Sequence, residues 1–197
     1  AVTDTGHFNW EKYSNIKPAY KVADKAQWGI TQIKKKGLRD LGATLAPESA
    51  TAIAVGMETL GLRLQRSQQN ALKLATFLDN HHSVSEVFYP GLADHPQHFM
   101  AREQLSNGYG AILSFNLVDN IDPVAFLNEM ELVICATHLG DNRTLALPVA
   151  PTIYFENTAE EREKMGVSDN MLRISVGIED TDDLIADFRN ALHAVAS

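Results

Sequence analysis

From Pro47 onward the apolar residues recur with a helical period. Ala50, Ile53, Ala54, Met57, Leu60 and Leu64 come first, then Ala71, Leu74, Ala75 and Leu78. Steps of three and four place such residues on one face of a helix. Pro47 and Glu48 suit the start: proline lacks only an N–H that would have no partner there, and a carboxylate offsets the positive end of the helix dipole. Ala52, Val55 and Leu62 fill the other faces, so the first half of this helix is predicted to be buried nearly all round. The polar stretch RSQQN, residues 66–70, is predicted to turn outward.

Beyond residue 83 the period shortens and alternates with helical stretches. VSEVFYP (84–90) reads as a strand ended by Pro90 and Gly91, and Asp94 or His95 then caps a helix running to about Ser106, with Pro96 in its first turn. AILSFNLV (111–118) follows Gly110 as a second strand, Pro123 opens the short helix VAFLNEM, and LVICAT gives a third strand. After a Gly140-Asp141-Asn142 turn comes the short strand TLALP, closed by Pro148; AEEREKMG reads as a polar helix ending at Gly166. MLRISVG (171–177) is a further strand. The last helix, TDDLIADFRNALHAV, has Thr181 at its cap and Leu184, Ile185, Phe188, Leu192 and Val195 on one face. The strands are short and amphipathic rather than wholly apolar, which predicts an α/β (α+β) domain with a small antiparallel or mixed sheet and helices on one face. Residues 1–37 show no sustained apolar periodicity and read as an irregular arm holding both tryptophans, with a short strand at AVTDT.

Composition narrows the function. A formal net charge of −8 argues against nucleic acid or an anionic membrane surface as a partner, and the triplet Lys34-Lys35-Lys36 reads as a solvated face. The single cysteine, Cys135, lies in the apolar run LVIC and reads as a buried thiol of a reducing compartment, which points to the cytoplasm. No apolar run approaches the roughly 20 residues of a membrane-spanning helix. The chain begins AVTDTG, without methionine, and so reads as a processed form or a piece of something longer.

Four stretches carry candidate chemistry. GYGAIL (108–113) starts like a dinucleotide fingerprint, but a strand follows it, and the fingerprint needs its glycines to feed a helix N-terminus. DHPQH sets His95 and His98 three apart without a carboxylate partner nearby, which reads as a helix start with surface histidines and no metal site. THLGDNRTLALP (137–148) gathers Thr, His, Asn and Arg around a glycine turn between two strands. Arg173 stands in the middle of a strand, with Ser175 on the same face and Gly177 directly after. Two readings of Arg173 remain open from the residues alone: a cross-strand partner for some carboxylate, or a pocket-facing guanidinium able to clasp an anion through two parallel bonds.

Taken in order, LRDLGATLAPESATAIAVGMETLGLRLQRSQQNALKLATFL, YPGL, HPQH, GYGAILSF, HLGDNRTL and RISVGIEDTDDLIADF resemble the C-terminal portion of the pyridoxal-phosphate enzymes of cysteine and methionine metabolism. This is the family of cystathionine gamma-synthase, the cystathionine lyases, methionine gamma-lyase and O-acetylhomoserine sulfhydrylase. The resemblance covers residues 38 to about 195, and TGHFNW is similar to the arm that follows the cofactor lysine in the sulfhydrylase-like members.

The resemblance implies the C-terminal domain of a fold-type I enzyme. Its parts would be an arm over 1–37, connecting helices over 38–82 and a substrate-side domain over 83–197. It implies chemistry at the γ-carbon of homoserine esters, methionine or cystathionine, with pyridoxal phosphate stabilising the carbanions. By the same resemblance Arg173 anchors the substrate's α-carboxylate, and Thr137, His138 and Leu139 line the substrate site. His138 stands where relatives commonly carry serine, and Thr137 where cystathionine-handling members commonly carry glutamate. None of the nine lysines lies in the family's Ser-x-Thr-Lys context. The resemblance therefore implies no cofactor-binding or catalytic residue here, no covalent attachment of pyridoxal phosphate to this chain and no activity for it alone. The expected partners are a small amino-acid substrate, the protein's own N-terminal cofactor domain and further copies in a homo-oligomer. Released from that domain, the helix around Ile53–Leu64 would expose an apolar stripe. The rival reading is a stand-alone, non-catalytic amino-acid-binding or dimerisation domain.

Overall fold

A computed structural model describes Lys12, Asn15, Ile16 and residues 18–196. The strand expected at AVTDT and the TGHFNW part of the arm lie outside the described residues. The chain divides into two compact units, residues 1–56 and 57–197.

In the first unit, Ile16, Tyr20 and Trp28 form a small buried cluster, and the Trp28 indole N–H donates to the Val22 carbonyl at 2.6 Å. The expectation of an irregular arm through residue 37 fails beyond Gln27. Helix α1 (Trp28–Gln32) runs through a π-helical stretch (Ile33–Leu38) into α2 (Arg39–Leu41), and Gly42 ends it at φ 67°. The only apolar anchor on its first turns is Trp28, too little for a sequence period to register. The three consecutive lysines are exposed, as expected.

The long helix expected from Pro47 is two helices, α3 (Pro47–Glu58) and α4 (Leu60–Asp79), interrupted at Thr59. Its first half is not buried: no residue of α3 is, and Ile53, Val55, Met57, Leu60, Leu62 and Leu64 are all exposed. A helix apolar on every side has been given no cover by the described residues.

The second unit is built on a five-stranded sheet of order β1-β2-β5-β4-β3, comprising β1 (Val84–Phe88), β2 (Ile112–Leu117), β3 (Ile134–Cys135), β4 (Leu145–Pro148) and β5 (Met171–Ser175). All neighbours are antiparallel except β3 and β4. Leu113, Phe115, Ala146, Leu172 and Ile174 form one face of the sheet and pack into the main core. Ala71, Leu74, Ala75 and Leu78 of α4 enter it from one helix, Phe126 from α6 (Pro123–Asn128), and Leu184, Phe188 and Leu192 from α9 (Thr181–Val195); the short helices α7 (Val149–Thr152) and α8 (Ala159–Lys164) lie between β4 and β5 in the chain. Phe115, Phe126 and Phe188 meet at centroid distances of 6.0–6.4 Å, Phe115 and Phe126 edge to face. Asp187 of α9, buried beside Phe188, accepts from the backbone N–H groups of Glu131, Leu132 and Val133 at 2.9–3.2 Å, fixing the approach to β3.

Several boundaries differ from expectation. Strand β3 has only two residues, and Cys135 on this edge strand, paired with β4 alone, is exposed rather than a buried core thiol. Helix α5 (His98–Gln104) begins after Pro96 rather than around it. Asp180 caps α9 in place of Thr181, whose hydroxyl is drawn into a buried bond described below. Among the described residues no helix is long and apolar enough to cross a membrane.

Candidate functional site

Strand β5 lies at the centre of the sheet, and its alternation sends Leu172 and Ile174 into the core and Arg173 and Ser175 to the other face. Register aligns Phe88, Ser114, Arg173 and Leu147 across four strands. The cross-strand neighbours of Arg173 are thus a serine and a leucine. Among the described residues no carboxylate pairs with it. One Nη2 hydrogen is given to the Thr137 carbonyl at 2.6 Å, while the buried Nε–H has no partner among the described residues. Burial also lowers the arginine's pKa from its ordinary value, since the charged form has lost water. A guanidinium held at one corner and short of an acceptor has the donors that a planar anion could use.

The loop from Thr137 to Arg143 leaves β3 and returns into β4 beside this arginine. Gly140 adopts φ 78° at the turn, and its N–H donates to Ser175 Oγ at 3.0 Å. Asp141 accepts from the Arg143 backbone N–H at 2.9 Å, from its guanidinium at 3.1 and 3.2 Å, and contacts His138 Nε2 at 3.2 Å. These contacts hold the Asp141 carboxyl far below the usual carboxylate range, the Arg143 side-chain bonds being the largest cause. Thr137, His138 and Leu139 are exposed and adjoin the arginine's anchoring carbonyl.

The exit from β5 is braced from behind. A Cβ on Gly177 would stand 2.6 Å from the Arg143 carbonyl carbon, so only glycine lets the two loops pass. Glu179 accepts from the Thr144 hydroxyl at 2.8 Å and from the Thr144 backbone N–H. Asn70, fully buried on α4, donates to the carbonyls of Gly177 and Glu179 at 3.1 and 3.0 Å and accepts from the Thr181 hydroxyl at 2.6 Å. The expectation that residues 66–70 turn outward fails for Ser67 and Asn70, which are buried. Positions 67, 70, 71, 74, 75 and 78 continue one face, and that spacing was the signal available.

The other motifs behave as ordinary structure. The glycines of GYGAIL lead into β2, not a helix. His98 contacts the Pro90 carbonyl at 2.8 Å, His95 accepts from the Gln97 N–H at 3.2 Å, and no group of metal-ligating side chains occurs among the described residues.

The mixed five-stranded sheet with helices packed on its core face is the fold of the fold-type I pyridoxal-phosphate enzymes to which the chain is structurally similar. The family model "Cys/Met metabolism PLP-dependent enzyme" matches residues 9–193, and the chain belongs to that family. It is 36% identical over 204 residues to homocysteine synthase of Schizosaccharomyces pombe, covering 97% of this chain and 48% of that protein. It is 40% identical over 169 residues to L-methionine gamma-lyase of Pseudomonas putida, covering 85% and 42%. The crystal structure of cystathionine gamma-lyase from Lactobacillus plantarum, complexed with L-serine, superposes with a TM-score of 0.75 at 32% identity, over 86% of this chain and 43% of that one. The chain spans about half the length of the curated relatives it matches.

Pyridoxal phosphate is the family's cofactor, and it needs an aldimine lysine, an acid at the pyridine nitrogen and donors for its phosphate. The described residues around Arg173 do not fit it. The lysines of the second unit are Lys73, exposed on α4, and Lys164, paired with Glu160 at 2.7 Å, and neither belongs to the loops at Arg173.

Proposed function

We propose that this chain supplies the substrate-carboxylate anchor of a pyridoxal-phosphate enzyme acting at the γ-carbon of homoserine esters or sulfur amino acids. The observation that carries the reading is Arg173: a half-buried guanidinium with one corner fixed on the Thr137 carbonyl, an unpartnered Nε–H and no carboxylate in reach among the described residues. Arg173 takes the α-carboxylate of a small amino acid, and Thr137, His138 and Leu139 form the adjoining wall that meets its side chain. The anchor fixes the amino acid's orientation, which is how a binding group contributes to rate without touching the bond that breaks. The cofactor and its lysine belong to a further domain of the same protein, and the helices bearing Ile53 to Leu64 pack against that domain. The bound L-serine of the Lactobacillus plantarum relative supports an amino acid as the ligand. The assembly is a homo-oligomer working in the cytoplasm.

The test is Arg173→Ala in the holoenzyme. Removing a charge-assisted pair from a largely desolvated site costs about 2–4 kcal/mol. That corresponds to a fall in kcat/KM for the amino-acid substrate of roughly 30- to 1,000-fold. Arg173→Lys recovers part of it, since an ammonium cannot make the two-pronged contact. An Arg173→Ala enzyme within a few-fold of wild type overturns the anchor role.

A further inference from the structure

The loop that aims Arg173 is organised around one side chain that contacts neither Arg173 nor the open face directly. The Asp141 carboxylate reaches both ends of the loop: back to His138, one residue after the carbonyl that holds Arg173, and forward to the backbone and guanidinium of Arg143. Its own side chain is 22% exposed, while those of His138 and Arg143 are 60% and 62% exposed, so the acid is the inner member and the bases fold over it. Between the two ends, Gly140 is tied to Ser175, two residues from Arg173 on the same face of β5. The loop is further tied to β4 where it starts, the Ala136 N–H donating to the Ala146 carbonyl at 3.1 Å, and to the exit from β5 at Asn142, whose carbonyl accepts from the Ile178 N–H at 2.9 Å. Between Thr137 and Gly140 the internal contact of Asp141 with His138 adds to these fixings.

We propose that Asp141 is the positioning residue of the carboxylate anchor, holding the 137–143 loop so that the Thr137 carbonyl keeps the Arg173 guanidinium aimed at the substrate. This rests on the anchor reading of Arg173. The charge arrangement favours it as well. A free carboxylate in this loop would compete with the substrate for Arg173, but the fork of Arg143 satisfies Asp141 through two side-chain bonds and a backbone bond. The Arg143 guanidinium in turn spends its Nε–H and Nη2–H on Asp141. The two charges offset each other within the loop, which leaves Arg173 as the arginine beside Thr137 that has no carboxylate partner among the described residues.

The experiment is a double-mutant cycle on the holoenzyme, with O-acetyl-L-homoserine and sulfide as substrates. Asp141→Asn should raise KM for the amino acid about tenfold, with most of the loss in KM rather than kcat, and leave KM for sulfide unchanged. In the Arg173→Ala background the same substitution should cost less than about twofold, because there is no guanidinium left to aim. Asp141→Glu, which keeps the charge, should recover part of the loss. Arg143→Gln, a second route to the same loop should Asp141→Asn fold poorly, should raise the same KM by about threefold or more. Full additivity with Arg173→Ala, or an unchanged KM in both Asp141→Asn and Arg143→Gln, overturns the inference and leaves the anchor reading standing. Wild-type kinetics in Arg173→Ala overturns both.

Discussion

Replacing Asn70 by leucine should destabilise the second unit by about 2–5 kcal/mol. The side chain is fully buried and makes three hydrogen bonds, two to carbonyls beyond β5 and one from the Thr181 hydroxyl. Leucine is close in size, so the loss is one of partners rather than of packing. The Glu179 carbonyl keeps a donor, since Arg66 Nη2 lies 3.0 Å away. The Gly177 carbonyl loses its Asn70 donor and the buried Thr181 hydroxyl its Asn70 acceptor, and each orphaned group costs about 1–3 kcal/mol. With a urea slope of about 2 kcal/mol/M, the midpoint should fall by roughly 1–2.5 M. The assay is urea unfolding followed by far-ultraviolet circular dichroism at one fixed protein concentration. The double variant Asn70→Leu/Thr181→Val removes both ends of one bond and should cost less than the sum of the single variants. A loss below about 1 kcal/mol for Asn70→Leu, or strict additivity, would refute the claim that the amide braces the exit from β5.

Other outcomes follow from the remaining features. With Thr137 where a glutamate would meet a distal ammonium, the holoenzyme should favour an O-acylated homoserine or methionine over cystathionine by at least about tenfold in kcat/KM. Thr137→Glu should improve cystathionine cleavage and His138→Ser should narrow the margin; steady-state kinetics favouring cystathionine with Thr137 intact would contradict this. The exposed Ile53, Val55, Met57, Leu60, Leu62 and Leu64 should drive the isolated chain to self-associate, and light scattering showing a monomer at every concentration would count against it. Burial, with His82 and Arg189 nearby, holds the His81 pKa below its ordinary value, so the folded state binds its proton less readily than the unfolded chain. The stability this contributes is whole above the unfolded value of about 6.5 and is lost as pH falls through the folded value. His81→Gln should flatten the urea midpoint between neutral pH and the acid side of that window.

The alternation of Leu172, Arg173, Ile174 and Ser175 is enough to place the arginine on the face away from the main core, and the period of Leu184, Phe188 and Leu192 is enough to bury α9. The family is legible only from the ordered motifs, since one strand arginine is compatible with an ordinary salt bridge. Two things were not legible. An apolar helix says that it wants cover, not that the cover lies in the same chain, so α3 was expected to be buried and is exposed. Polar residues on a buried face look like surface when judged by type, so Asn70 was assigned to solvent although its spacing from Leu74 and Leu78 was that of the core. Asp141 was quoted as part of a turn, but nothing in a sequence distinguishes a turn aspartate that caps its own loop from one in water.

The order β1-β2-β5-β4-β3 has a consequence for how the molecule is made. β1 and β2 emerge from the ribosome as an antiparallel pair, and β3 and β4 later as a parallel one, but the two pairs share no edge. The strand that joins them, Met171–Ser175, follows all four of them in chain order. Until it inserts, the pairs are held apart by missing hydrogen bonds on both sides, and closing that gap requires contacts distant in sequence, the slow kind. Since the inserted strand also carries Arg173, that guanidinium reaches its place beside the Thr137 carbonyl in the same event that completes the sheet. A chain in which this strand is not yet paired is left with two unpaired strand edges, a state that invites aggregation.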